Sequence, residues 1–173
     1  MTSSPHDMSL PARGSGHPDR RGIGLPVLAV LGLAALAVPR AIAHDLDLVP
    51  QPSMANTLLA AVPLVIWVVV AVLWSRRPLL SLVVAGGIYG VALAVVHNIS
   101  WAAVWGDTPP RLGGNLTGVL APGMDETLLR GATTVSSLLT GLATGLICGL
   151  IAWGVQALVR ANGRVLPLRS GDE

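Results

Sequence analysis

The chain has 173 residues, 52% hydrophobic and only 12% charged, with 20 Gly, 13 Pro and a formal net charge of +2. Average soluble domains carry about twice this share of charge, so the composition excludes both a disordered chain and an ordinary soluble enzyme and points to a lipid bilayer. The one cysteine, Cys148, excludes an intrachain disulfide framework and a multi-thiolate metal site.

All 11 basic residues are Arg, and Lys and Phe are absent. The codons of both are AT-rich, which suggests a GC-rich bacterial genome and hence a bacterial plasma membrane. A pI near 9.5 could indicate nucleic acid. The excess charge is small and the Arg residues are scattered, so membrane orientation explains them better and no nucleic-acid partner is expected.

In chain order, residues 1–22 read as a polar cytoplasmic tail rich in Ser, Pro and Gly, expected to be disordered. Four apolar stretches follow, at about 23–43, 57–74, 79–105 and 132–159. Each is long enough as a helix to cross about 30 Å of hydrocarbon. Strand-like alternation is missing, so helices satisfy the backbone. The third and fourth stretches could each extend some 40 Å, which requires tilt or projection beyond the lipid. Pro63 may be expected to kink the second. An outer loop at 106–131 is rich in turn formers, among them Pro122-Gly123, with one short helical turn expected around 125–129. Residues 160–173 form a cytoplasmic tail. A membrane domain at 23–159 accounts for the rest.

Orientation follows from Arg placement. Arg13, Arg20, Arg21, Arg76, Arg77, Arg160, Arg164 and Arg169 lie on one side, and Asp45, Asp47, Asp107, Asp125 and Glu126 on the other with Arg111 and Arg130. Both termini are therefore assigned to the cytoplasm. Trp74 on the inner side and Trp101 and Trp105 on the outer side suit an interfacial belt, while Trp67 and Trp153 read as deeper packing residues. The first span has a second reading as a cleaved leader, because Ala41-Ile42-Ala43 has the small-residue spacing of a signal peptidase site. Cleavage there would leave His44 as a new external terminus. Ala35-Leu36-Ala37-Val38 recurs as Ala92-Leu93-Ala94-Val95, a weak sign of duplicated hairpins.

Gly141, Gly145 and Gly149 in the fourth span repeat every four residues and share one helical face, a packing seam beside hydroxyls at Thr133, Ser137, Thr140 and Thr144. Gly86, Gly87 and Gly90 in the third span offer a matching surface within the bundle; a second copy or another membrane subunit is the alternative occupant. His97 and Asn98 are the polar residues of most interest, because titratable groups in a span are costly. His97 reads as a satisfied interfacial residue, with a proton-relay, ligand-binding or metal role as alternatives. His44, Asp45, Asp47 and His97 are suited in kind to zinc or copper, but their spacing is undiagnostic and no HExxH or CxxC occurs. No metal, no cofactor and no catalytic constellation is assigned. Arg40 and Arg130 are expected to snorkel outward, Arg40 towards Asp45 or Asp47 and Arg130 near Asp125 and Glu126. Cys148 reads as a small hydrophobe and Gln156 as solvated at the cytoplasmic end.

The expected fold is thus an all-α integral membrane protein, a bundle of four transmembrane helices with both termini cytoplasmic. The expected function is a non-enzymatic accessory or assembly subunit that meets other membrane proteins through the glycine-rich face. The rival is a component of a small-solute or ion transporter with an outer vestibule around His97, Asn98 and Arg130, with His44 nearby. A metal- or cofactor-binding redox protein ranks third.

Overall fold

The computed structural model describes residues 22–121 and 123–164. The expected N-terminal tail before Gly22, Pro122 of the outer loop and the C-terminal tail beyond Arg164 lie outside the described residues. The described residues form four long helices and a single 3-10 turn, without strands. All four helices are long and apolar enough to cross a membrane, and the chain is a multi-pass membrane protein.

Local chemistry sets each boundary. Helix α1 covers Val27–Asp45 and starts later than expected because Pro26 occupies the N-cap position. The residues before it form a strap: Ser81 Oγ donates to Ile23 O at 2.8 Å, and Arg76 N donates to Gly24 O at 3.4 Å. Helix α2 covers Met54–Trp74 and starts earlier than expected, because the Ser53 side chain accepts from Asn56 N at 3.1 Å. Pro78 at the first position opens α3, Pro78–Trp105, where its missing N–H leaves no donor unsatisfied. Helix α4, Met124–Ala161, absorbs the helical turn expected at 125–129. Asp125 and Glu126 in its first turn complement the helix dipole. Its 38 residues extend about 57 Å, well past the hydrocarbon, so the helix projects beyond it.

Helix α3 is the hub. It packs against each of the other helices, and α1 and α4 do not touch among the described residues. The α3–α4 seam is built of glycine on both sides. A Cβ at Gly86 would lie 2.7 Å from Gly145 Cα, and one at Gly141 would lie 2.5 Å from Gly90 Cα and would overlap the Gly86 carbonyl oxygen. Real carbon atoms cannot approach so closely, and only glycine lets these backbones meet. The face expected to recruit another membrane protein is therefore occupied by the chain's own third helix, and Gly141, Gly145 and Gly149 are all buried there.

Two polar contacts lock the other interfaces. Trp67 is fully buried, donates from Nε1 to Leu33 O at 2.7 Å, and meets Tyr89 edge-on at 6.1 Å between ring centroids. Gln156 corrects the sequence reading. It is buried, 3% exposed, and its amide donates to the carbonyls of Ala71, Val72 and Ser75 at 3.2, 2.9 and 2.9 Å. Ala71 O also accepts from Ser75 N at 3.1 Å, but these carbonyls lie where α2 ends and helical donors run out, so a side chain from α4 supplies them. Trp153 also differs from expectation: it is 55% exposed and faces outward instead of packing in the core.

The seam makes a paired prediction. Gly141→Ala should lower the thermal midpoint of the detergent-solubilised protein by an amount equivalent to about 1–3 kcal/mol, because the new methyl overlaps backbone that cannot rotate away. Gly154→Ala, where nothing lies within 4 Å, should leave the midpoint unchanged or raise it slightly.

Candidate functional site

At the end of the bundle where α1 finishes and α4 begins, called the outer end below, α1, α3 and α4 line an open cavity of about 480 Å³. No residue of α2 lines it. Along α4 the lining runs from Leu129 to Thr140, roughly 16 Å of helix, so the cavity reaches from the outer interface towards the centre of the bundle. The wall is polar for a membrane interior, with Arg40 and His44 from α1, Tyr89 and His97 from α3, and Thr133 and Ser137 among the α4 hydroxyls.

Arg40 does not reach Asp45 or Asp47 as expected. It lies five residues before the end of α1, about 7.5 Å inside the helix terminus, and its guanidinium faces the Tyr89 hydroxyl. Its Nε is buried and has no hydrogen-bond partner among the described residues. Asp45 is taken instead by histidine. His97 Nδ1 lies 2.5 Å from Asp45 Oδ2, and His44 Nδ1 lies 3.3 Å from Asp45 Oδ1. The Asp45 side chain is 6% exposed while that of His97 is 26% exposed, so the carboxylate is covered and the imidazole looks into the cavity. A carboxylate behind a histidine fixes ring orientation, leaving the second ring nitrogen available to a ligand.

Asn98 and Arg130, expected beside His97 in one vestibule, belong to a separate cluster on the α3–α4 side. Asn98 Nδ2 donates to Ala94 O at 2.9 Å and to Thr134 Oγ1 at 3.1 Å. Arg130 donates from Nε to Glu126 Oε1 at 2.9 Å and from Nη1 to Asn98 O at 3.2 Å. Its guanidinium carbon stands 4.9 Å from the centre of the Trp101 ring. Trp101 is consequently buried between helices, not spread on the lipid interface, and only Trp105 keeps the exposure of a belt residue. This cluster clamps the outer ends of α3 and α4 together, and its groups are engaged with one another.

Among the described residues, no group of three or more His, Cys, Asp or Glu side chains is placed to hold a metal ion. The cavity's chemistry is that of a hydrogen-bonding site with a fixed cation. Tyr89 and the depth of Arg40 escaped the sequence reading; the available signal was that each is a lone polar residue inside an apolar run.

No family model matches the chain, and neither curated proteins nor solved structures give a match. The fold and the site together define a small polytopic α-helical membrane protein with a polar cavity on one side of the bilayer.

The Asp45–His97 contact joins helices otherwise linked by apolar packing. In a double-mutant cycle of Asp45→Asn and His97→Ala, thermal unfolding in detergent should give a coupling of about 1 kcal/mol, with either single change alone destabilising the protein.

Proposed function

We propose that the chain is a non-enzymatic component of a small-solute transport or binding system of a bacterial plasma membrane, taking an anionic solute from the outer side into the Arg40–His97 cavity. The observation that carries this reading is Arg40, whose buried Nε lacks a partner on the wall of a cavity large enough for a small molecule. A cation inside a span costs several kcal/mol unless it is neutralised, and residues kept at that cost mark pathways and binding sites. An anion at this position would accept from Arg40, from His97 held by Asp45, and from the Thr133 and Ser136 hydroxyls. The outer placement assumes the orientation given by the Arg distribution, in which Arg76, Arg77 and Arg160 face the cytoplasm.

The accessory-subunit reading is less well supported, because the glycine face offered for it is filled by α3. Such a role would require another surface, and the exposed apolar residues on α4 are accounted for by lipid.

Purified protein in proteoliposomes, challenged with chloride, nitrate, inorganic phosphate and short carboxylates, should bind or pass at least one of them. Arg40→Gln should weaken that activity about tenfold or more, since a hydrogen bond to a charged group is typically worth 1.5–3 kcal/mol. No anion-dependent signal for the whole panel, or a signal indifferent to Arg40→Gln, would remove the proposal. Stoichiometric co-purification of a second membrane protein, with no anion activity, would favour the accessory role.

A further inference from the structure

With its imidazoles uncharged, the outer cavity is electrically neutral before a ligand enters, because Arg40 on its wall and Asp45 behind His97 carry opposite charges. Around His97, α1 presents Arg40, His44 and Asp45, while the residues of α4 that line the cavity have only hydroxyl or apolar side chains. Tyr89 lies about 12 Å deeper on α3, and α2 contributes nothing to the wall. Asp47, in the segment after α1, meets His44 and Asp45 in a separate pocket, and Glu126 and Arg130 of α4 pair with each other.

His97 directs Nδ1 at the Asp45 carboxylate, which can only accept, so Nδ1 carries a hydrogen. In the uncharged ring that hydrogen is the only one on nitrogen, and Nε2 offers a lone pair. A lone pair repels an anion. The ring becomes a donor to the ligand only when Nε2 is protonated as well. His44 turns its Nδ1 to the other oxygen of the same carboxylate, but its side chain is 51% exposed and stays in contact with water.

The charge balance leads to the same requirement. An anion beside Arg40 leaves the site with one negative charge in excess, because the Asp45 side chain is only 6% exposed and is little screened by water. Uncompensated charge away from water is costly, and one proton on His97 restores neutrality.

Resting on the anion site proposed above, we infer that the cavity takes its anion together with one proton, which comes from the adjoining solution or arrives on a weak acid and resides on His97 Nε2. The proton is thus a second substrate. One anion and one proton enter, and the net charge of the site is unchanged. Asp45 is a positioning residue, since it fixes the tautomer that makes the proton necessary.

The test titrates the full chain, in phosphatidylcholine nanodiscs, with chloride, nitrate and acetate by calorimetry. These anions keep their charge between about pH 6 and about pH 8, the range in which a histidine changes its own. Affinity should fall at least about tenfold from the lower pH to the higher, since uptake of one proton per anion weakens binding by up to tenfold for each pH unit. At the higher pH, heats measured in two buffers of different ionisation enthalpy should show close to one proton taken up per anion. Asp45→Asn removes the charge to be balanced, and its amide can donate to Nδ1 so that the uncharged ring donates from Nε2. It should therefore bind several-fold more tightly than the native chain at the higher pH, a gain that loss of a merely structural contact would not produce. His97→Gln should bind weakly and without pH dependence. Equal affinity at both pH values with no proton uptake, in a chain whose binding still falls in Arg40→Gln, would overturn the proton and leave the anion site standing. Binding of none of the three anions at either pH would remove both. A pH dependence that survives unchanged in His97→Gln would overturn the assignment to His97. Should Asp45→Asn fail to insert, the buffer comparison on the native chain still decides.

Discussion

The close approach of α3 and α4 is the constraint on which the rest of the architecture depends. In lipid, helices gain little from burying apolar side chains against one another, since the acyl chains are equally apolar, and association relies on van der Waals contact, interhelical hydrogen bonds and backbone proximity. Gly86 and Gly90 facing Gly141 and Gly145 allow the two helices to meet backbone to backbone. Asn98, Thr134, Arg130 and Trp101 clamp one end of this pair, while at the other end Gln156 ties α4 to the end of α2 and the Ser75–Ser81 hydroxyl pair ties that end to α3. With α3 and α4 set, α1 docks on α3 and α2 bridges to both α1 and α4.

The position of the outer cavity follows from this geometry. Because α3 lies between them, α1 and α4 remain apart, and the space between is left to side chains. Elsewhere in the bundle Trp67, Leu82 and Ala85 are fully buried. Towards the outside the residues become small or polar, Ala132, Thr133, Ser136 and Ser137, and no longer fill it. A row of small residues on α4 therefore has two consequences along its length. Where it faces glycine on α3 it brings the backbones together, and one turn further out it leaves an opening.

The sequence made the four helices legible, because apolar run length is a one-dimensional signal that the bilayer reads directly. Boundaries moved where local capping chemistry competed with hydropathy: Pro26 delayed α1, Ser53 advanced α2, and the polar start of α4 was obscured by the loop composition before it. Side-chain pairings were less accessible. His97 meets Asp45 across 52 positions, and Gln156 meets the end of α2 across more than 80. No local pattern encodes such contacts, which depend on helix rotation. The glycine spacing on α4 indicated a seam but not its occupant, since spacing specifies a face and leaves the choice between an internal and an external partner to tertiary packing.

The ionisable residues differ between the two ends of the bundle. Two carboxylates at the outer-cavity end are matched, Asp45 with His44 and His97 and Glu126 with Arg130. Arg40 joins none of these pairs, and it lies deeper than any of them. At the other end Arg76, Arg77 and Arg160 line a second cavity beside apolar residues. A single recessed cation in a polar chamber suits a small ligand that arrives from water, where the binding energy must come from a few directed hydrogen bonds.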